Sequence, residues 1–119
     1  MPRIRLHIHL SRDHSLGPGK VALLEAIEAR GSISAAARDL GMAYRHAWEL
    51  VEDMNCAFRS PVVEAASGGR AGGGARLTRL GRSVALRFRA MEEAARGAIA
   101  TDLRALAREL RAERAPRAG

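Results

Sequence analysis

A chain of 119 residues with a hydrophobic share of 47% can build one compact domain and an extension, but not two full domains. Aromatic residues supply only 3% of it, so aliphatic side chains must fill the core, and a core this lean favours oligomerisation. The net charge of +7 favours a polyanionic partner, and the single cysteine, Cys56, excludes an intrachain disulfide and a cysteine-based zinc site.

In chain order, Arg3 to Leu10 alternates strictly, with Ile4, Leu6, Ile8 and Leu10 on one side and Arg3, Arg5, His7 and His9 on the other. This predicts a half-buried strand whose partner is a distant strand or a neighbouring subunit. Gly17-Pro18-Gly19 marks a turn over 15–19. Val21, Leu23, Leu24 and Ile27 form the stripe of a helix over 20–30, which Gly31 closes. Ser34 is placed to cap a short helix over 35–40, and Gly41 supplies the positive φ of a tight corner. A longer helix over 43–58 turns Ala47, Trp48, Val51 and Met54 inward, and Cys56 is expected as a small buried residue.

Pro61 ends that helix, and Val62 to Ala66 reads as a short strand. Five glycines among residues 67–74 make a flexible tip before a second strand over 75–77, so the pair is a hairpin wing. Thr78 caps a long helix expected to reach about Arg114. Its apolar positions Val84, Phe88, Met91, Ala95, Ile99, Leu103, Leu106 and Leu110 step by three and four, the seam of a packed helix pair. At 1.5 Å per residue it is on the order of 50 Å long, and a second copy of the same helix is its simplest cover. Gly97 is a weak point midway, and residues 115–119 are expected to fray. The expected fold is mainly α (α+β), a winged helix-turn-helix over 1–78 followed by a dimerisation helix over 79–114.

Charge is unevenly placed. Residues 61–89 carry six arginines (70, 76, 79, 82, 87, 89) against Glu64 alone, whereas residues 90–119 nearly cancel. The expected consequence is a phosphate-contacting surface on the first of these segments. Glu92 and Glu93 are expected on the solvated outside of the long helix. There is no charged-then-apolar leader and no apolar run near about 18 residues, so a cytoplasmic protein without membrane contact is expected. No serine–histidine–aspartate set, phosphate loop or carboxylate pair suggests an enzyme. His7 and His9 lack a third metal ligand nearby, so no metal and no cofactor are expected.

Three blocks in order carry a resemblance to a known family. The first is Gly31-Ser32-Ile33-Ser34 with Ala37-Arg38-Asp39, Gly41, Tyr44-Arg45 and Ala47-Trp48-Glu49; the second is Met54-Asn55. The third is Val63-Glu64, Ala66 to Arg70, Gly72 to Ala75, Leu77-Thr78 and Gly81. With these the chain resembles the N-terminal DNA-binding domain of the ModE family of molybdate-responsive bacterial repressors, itself similar to the winged helix of LysR-type regulators. The resemblance implies a homodimer on a palindromic operator, held by the N-terminal strand (Ile4, Leu6, Ile8) and the long helix (Val84, Phe88, Met91, Ile99, Leu103, Leu106). Family members continue into paired molybdate-binding modules, which these 119 residues do not contain, so molybdate binding by the family's usual site is not expected.

In a winged helix the front of the second helix enters the major groove, which points to Ala43, Tyr44, Arg45 and His46, with Glu49 one turn on. Arg45 can donate two hydrogen bonds to a guanine edge, and Tyr44 can bond a phosphate or pack on a thymine methyl. Glu49 suits a pair with Arg45 four residues back better than a cytosine contact. Ser32 and Ser34 suit a phosphate at a helix start, with capping the plainer role of Ser34. Arg70 and Arg76 on the wing suit the minor groove or flanking backbone. Trp48 is expected in the core. The function expected is sequence-specific regulation of transcription on double-stranded DNA, more specifically repression. The alternative is an interaction protein that pairs with a longer regulator of the same family.

Overall fold

A computed structural model describes residues 2–66 and 73–112. Its elements are β1 (Ile8–His9), β2 (Ser15–Leu16), α1 (Pro18–Arg30), α2 (Ile33–Asp39), α3 (Tyr44–Ala57), β3 (Val63–Ala66), β4 (Gly74–Leu77) and α4 (Arg79–Arg108). Helices α1 to α3 form a three-helix cluster, the β3–β4 hairpin is the wing, and α4 leaves the domain as a rod. The mainly helical winged fold with a long C-terminal helix is thus present.

The N-terminal alternation survives as a burial pattern, with Ile4, Leu6 and Ile8 half-buried and Arg3, Arg5, His7 and His9 exposed. Its partner is not distant, however. Only Ile8 and His9 pair, antiparallel to Leu16 and Ser15 across a turn in which Leu10 N–H and Ser11 N–H donate to His14 O. The expected turn over 15–19 therefore contains β2 and the start of α1. Pro18 sits in the first turn of α1, where its fixed φ suits a helix and its missing N–H costs nothing.

Gly31 ends α1 at φ 78°, its N–H donating to Ile27 O at 2.8 Å, and its own carbonyl accepts from Ala75 N–H of β4 at 2.9 Å. One glycine thereby closes a helix and ties it to the wing. The cap of α2 is Ser32 and not Ser34: Ser32 is extended, and its Oγ accepts from Ala35 N–H at 3.0 Å. The helix begins two residues earlier than expected, which leaves the Ser34 side chain exposed. Thr78 caps α4 as expected, accepting from Gly81 N–H at 3.0 Å and donating to Pro61 O at 2.7 Å.

The core is aliphatic. Phe88, Leu23, Leu24, Ile27, Met54, Val21 and Val62 are its largest fully buried side chains, and no polar residue among those described is buried with them. At about 25 cal/mol per Å² of apolar surface, each such side chain contributes on the order of 2 kcal/mol. Only the first half of α4 joins this core, through Gly81, Val84, Ala85 and Phe88. Gly81 is needed there, because a Cβ would stand 2.0 Å from Val62 O. The helix spans 30 residues, about 45 Å, and ends at Arg108, six residues short of its expected limit.

Val84 and Phe88 are a correction to the expected dimer seam. Both are buried inside their own protomer, because the stripe that faces the three-helix cluster has the same three-four spacing as a seam. Beyond them Ile99 and Leu103 are half-buried, Met91 and Leu110 are exposed, and Leu106 is 64% exposed. Pro2 and Leu103 line one shallow groove with Ala100 and Ala107, so the N-terminal segment starts beside the outer half of α4.

Candidate nucleic-acid interface

The corner between α2 and α3 is set by small residues and one left-handed glycine. Ala35, Ala36 and Ala37 are buried, and their single methyls let α2 lie close to its neighbours. Leu40 N–H then returns to Ala36 O, Gly41 turns at φ 66°, and Met42 N–H donates to Ala37 O at 3.0 Å. Arg30 braces the turn from α1, with its Nη1 bonded to both carboxylate oxygens of Asp39 at 3.1 Å.

Helix α3 buries Ala47, Val51 and Met54, at i, i+4 and i+7. Because each residue advances about 100° around the axis, Trp48 falls on the shoulder of that stripe and not in it. Its indole is 46% exposed, which corrects the expectation of a core tryptophan. Cys56 lies nearly opposite Ala47 and is exposed, a second correction. Ala43, Tyr44, Arg45 and His46 are all exposed on the opening turn, with Tyr44 at 55%. Ala43 gives α3 no side-chain cap, so its first N–H groups face outward uncovered.

Arg45 Nε donates to Glu49 Oε1 at 3.3 Å across one turn, the expected pair. At 90% side-chain exposure for Arg45 the bond contributes only a few tenths of a kcal/mol, so the guanidinium is available to another acceptor. Ser34, Tyr44 and Trp48 line one wall of an open cleft of about 640 Å³, with Glu52 behind them and Glu64 and Gly74 of the wing opposite.

The device that spaces helix from wing is Asn55, which the sequence marks only as part of a motif. Its Oδ1 accepts from Val62 N–H at 2.8 Å and Val63 N–H at 3.1 Å, and its Nδ2 donates to Val63 O at 3.2 Å. Three bonds from one amide thus pin β3 to α3. The wing itself pairs Val63 with Leu77, Glu64 with Arg76, Ala65 with Ala75 and Ala66 with Gly74. Arg70 and the tip lie outside the described residues.

The arginine-rich segment is less free than its local count suggested. Arg76 donates to Glu64 at 3.0 Å. Arg82 approaches Glu28 at 3.9 Å and donates to Leu77 O at 3.0 Å. Arg89 holds both oxygens of Glu25, at 2.6 and 3.0 Å, and Glu92 at 2.8 Å. These carboxylates raise the Arg89 pKa, Glu25 most strongly, and they clamp α1 to α4. Glu92 is accordingly a partner and not simply a solvated charge.

A further cluster was not foreseen. Asp53 of α3 accepts from Lys20 Nζ at 2.7 Å and lies 3.2 Å from His14 Nδ1, while Lys20 also donates to Ser15 O. The Lys20 hydrogen bond holds the Asp53 carboxyl below its usual 3.8, against a smaller opposing effect of burial. The cluster fastens the N-terminal hairpin to the back of α3. His7 and His9 stand ring to ring at 5.2 Å, and no group of three metal-ligating side chains occurs among the described residues. No helix among them is long and apolar enough to cross a membrane.

No protein-family model matches the chain. Individual relatives do. The molybdenum transport protein ModE of Azotobacter vinelandii is 38% identical over 96 residues, 77% of this chain and 36% of that protein. The DNA-binding transcriptional dual regulator ModE of Escherichia coli K12 is 40% identical over 81 residues, 68% of this chain and 31% of that protein. Over this region the chain belongs to the ModE family. The molybdenum-pterin-binding protein MopB of Rhodobacter capsulatus is also similar, 51% identical over 77 residues, 65% of this chain and 28% of that protein. The chain spans about a third of the length of these relatives.

Proposed function

We propose that this chain is a sequence-specific regulator of transcription, a cytoplasmic homodimer that represses by binding an inverted-repeat operator. The observation that carries the reading is the opening turn of α3, where Tyr44, Arg45 and His46 project unburied from a helix that lacks a side-chain cap. In this fold that turn meets base edges in the major groove, while the wing follows the adjacent backbone. Arg45 reads guanine, Tyr44 adds a phosphate or methyl contact, and Arg70 and Arg76 follow the flanking duplex. Ser34 and the N–H groups at the start of α2 take a phosphate; Ser32 serves as the cap. The exposed edge of α4 (Met91, Leu106) with Ile99 and Leu103 supports pairing of two protomers; of the strand residues expected there, Leu6 and Ile8 pack on the protomer's own core, and Ile4 is the one left for the seam. Names of the relatives point to the same biology, molybdenum-linked regulation.

The test is a binding titration on the chain's own promoter region against a scrambled duplex. A specific complex is expected that weakens steeply between 50 and 200 mM salt, by about a thousandfold or more for six phosphate contacts. Arg45→Ala is expected to lose discrimination by about 1–3 kcal/mol. Equal affinity for promoter and scrambled duplex overturns the reading.

A further inference from the structure

Four aromatic residues occur in the chain, and the core uses few of them: Phe88 is fully buried and Phe58 half-buried, whereas Tyr44 and Trp48 are both exposed. An indole half in water forgoes much of its burial energy, about 2 kcal/mol or more for a side chain of this size. In a protein so poor in aromatics its position therefore needs another cause. Trp48 lies one helical turn after Tyr44 on the wing side of α3, and the two line a second small hollow together with Arg45. Residues four apart have Cβ atoms about 5–6 Å from one another, so the two side chains stand along one exposed edge of the helix.

The charges beside this edge restrict what it can meet. Glu49 and Glu52 follow it on α3, and Glu52 and Glu64 line the same cleft as Trp48. A phosphate brought against the indole would approach these carboxylates; Arg45 pairs with Glu49 and Arg76 with Glu64, and among the described residues no arginine is on Glu52, which lines the cleft with the indole. The occupant is therefore neutral and apolar. On the floor of the major groove that description fits one group, the 5-methyl of thymine.

We infer that Trp48, with Tyr44, reads thymine methyl groups next to the guanine that Arg45 contacts. The inference rests on the proposed DNA-binding role and names a specificity determinant within it. Arg45, about 60° around the helix axis from Trp48, supplies polar readout, and the aromatic edge supplies methyl readout beside it. Each operator half-site then contains one or two thymines whose methyls face the Tyr44–Trp48 edge.

The experiment is a titration of the full chain on its operator with thymines replaced singly by deoxyuridine, which removes the methyl and leaves the hydrogen-bonding edge. At the contacted positions the unaltered chain is expected to lose about fourfold in affinity per methyl in each half-site. Trp48→Ala is expected to bind more weakly and to ignore that replacement. Trp48→Phe and Arg45→Ala are expected to keep the sensitivity. Circular dichroism of each variant checks that its fold is retained, and the unaltered chain needs no variant at all. Binding that no deoxyuridine weakens, or full sensitivity in Trp48→Ala, overturns the methyl-reading role alone. Failure to bind any duplex overturns the regulator reading and this role with it.

Discussion

Removing the amide of Asn55 tests the coupling of helix and wing. Asn55→Ala deletes three hydrogen bonds of 2.8, 3.1 and 3.2 Å and takes the partner from two backbone donors, Val62 N–H and Val63 N–H. Both residues are buried, at 0% and 5% exposure, so water reaches their amides poorly. Each satisfied bond contributes about 1 kcal/mol, and each orphaned buried donor costs about 1–3 kcal/mol, so a total loss of about 3 kcal/mol is expected. That is a large part of an ordinary stability of about 5–15 kcal/mol. It lowers Tm by roughly 12 °C, at about 4 °C per kcal/mol for a domain of this size. Urea denaturation followed by far-ultraviolet circular dichroism measures it directly. Asn55→Asp retains the acceptor for both N–H groups and is expected to recover about half the loss. A change below about 0.5 kcal/mol in Asn55→Ala would refute the argument, because it would mean that β3 holds its place without the amide.

Gly81→Ala is expected to destabilise by about 1–3 kcal/mol in the same assay, although alanine is the better helix former. A Cβ at 2.0 Å from Val62 O forces backbone apart where α4 meets the wing; a neutral or stabilising result contradicts the close approach. The Asp53 carboxyl binds its proton less tightly folded than unfolded, so its contribution is present above the usual 3.8 and is lost as pH falls through the lower folded value. Asp53→Asn is therefore expected to flatten the acid limb of a stability–pH curve, and an unchanged slope below pH 4 argues against the Lys20–Asp53 contact. Leu106→Glu, at an exposed position of α4, is expected to leave the fold intact and to shift sedimentation velocity from dimer to monomer.

Much of this architecture is legible in residues that leave the backbone few options. Gly31 and Gly41 sit at the two positive-φ positions among the described residues, and each closes a helix where its neighbours say it must. Thr78 caps α4 and Arg45 meets Glu49 because both are local interactions, over three and four residues. The misreadings have a common source in longer-range geometry. Alternation from Arg3 to Leu10 identifies an inner face and says nothing about its partner, which proved to be β2. A stripe read as Ala47-Trp48-Val51-Met54 is ambiguous by one position, and that position carries the indole. Counting charge along 61–89 overlooks Glu25 and Glu28, which reach Arg89 and Arg82 from α1 some sixty residues earlier. Val84 and Phe88 look like seam residues because a helix packed on its own domain shows the same spacing as one packed on a twin. Asn55 gave no signal beyond its place in a motif, since a side-chain bond to a strand has no periodicity.

On the proposed reading, two copies of this chain grip one duplex through α3, at half-sites about 34 Å apart. Sedimentation equilibrium of the protein with a promoter fragment, intact and with one half-site scrambled, decides whether they do. A complex of two chains per intact duplex is expected, with a large loss of affinity when either half-site is scrambled. A complex of one chain per duplex, indifferent to the second half-site, would contradict it.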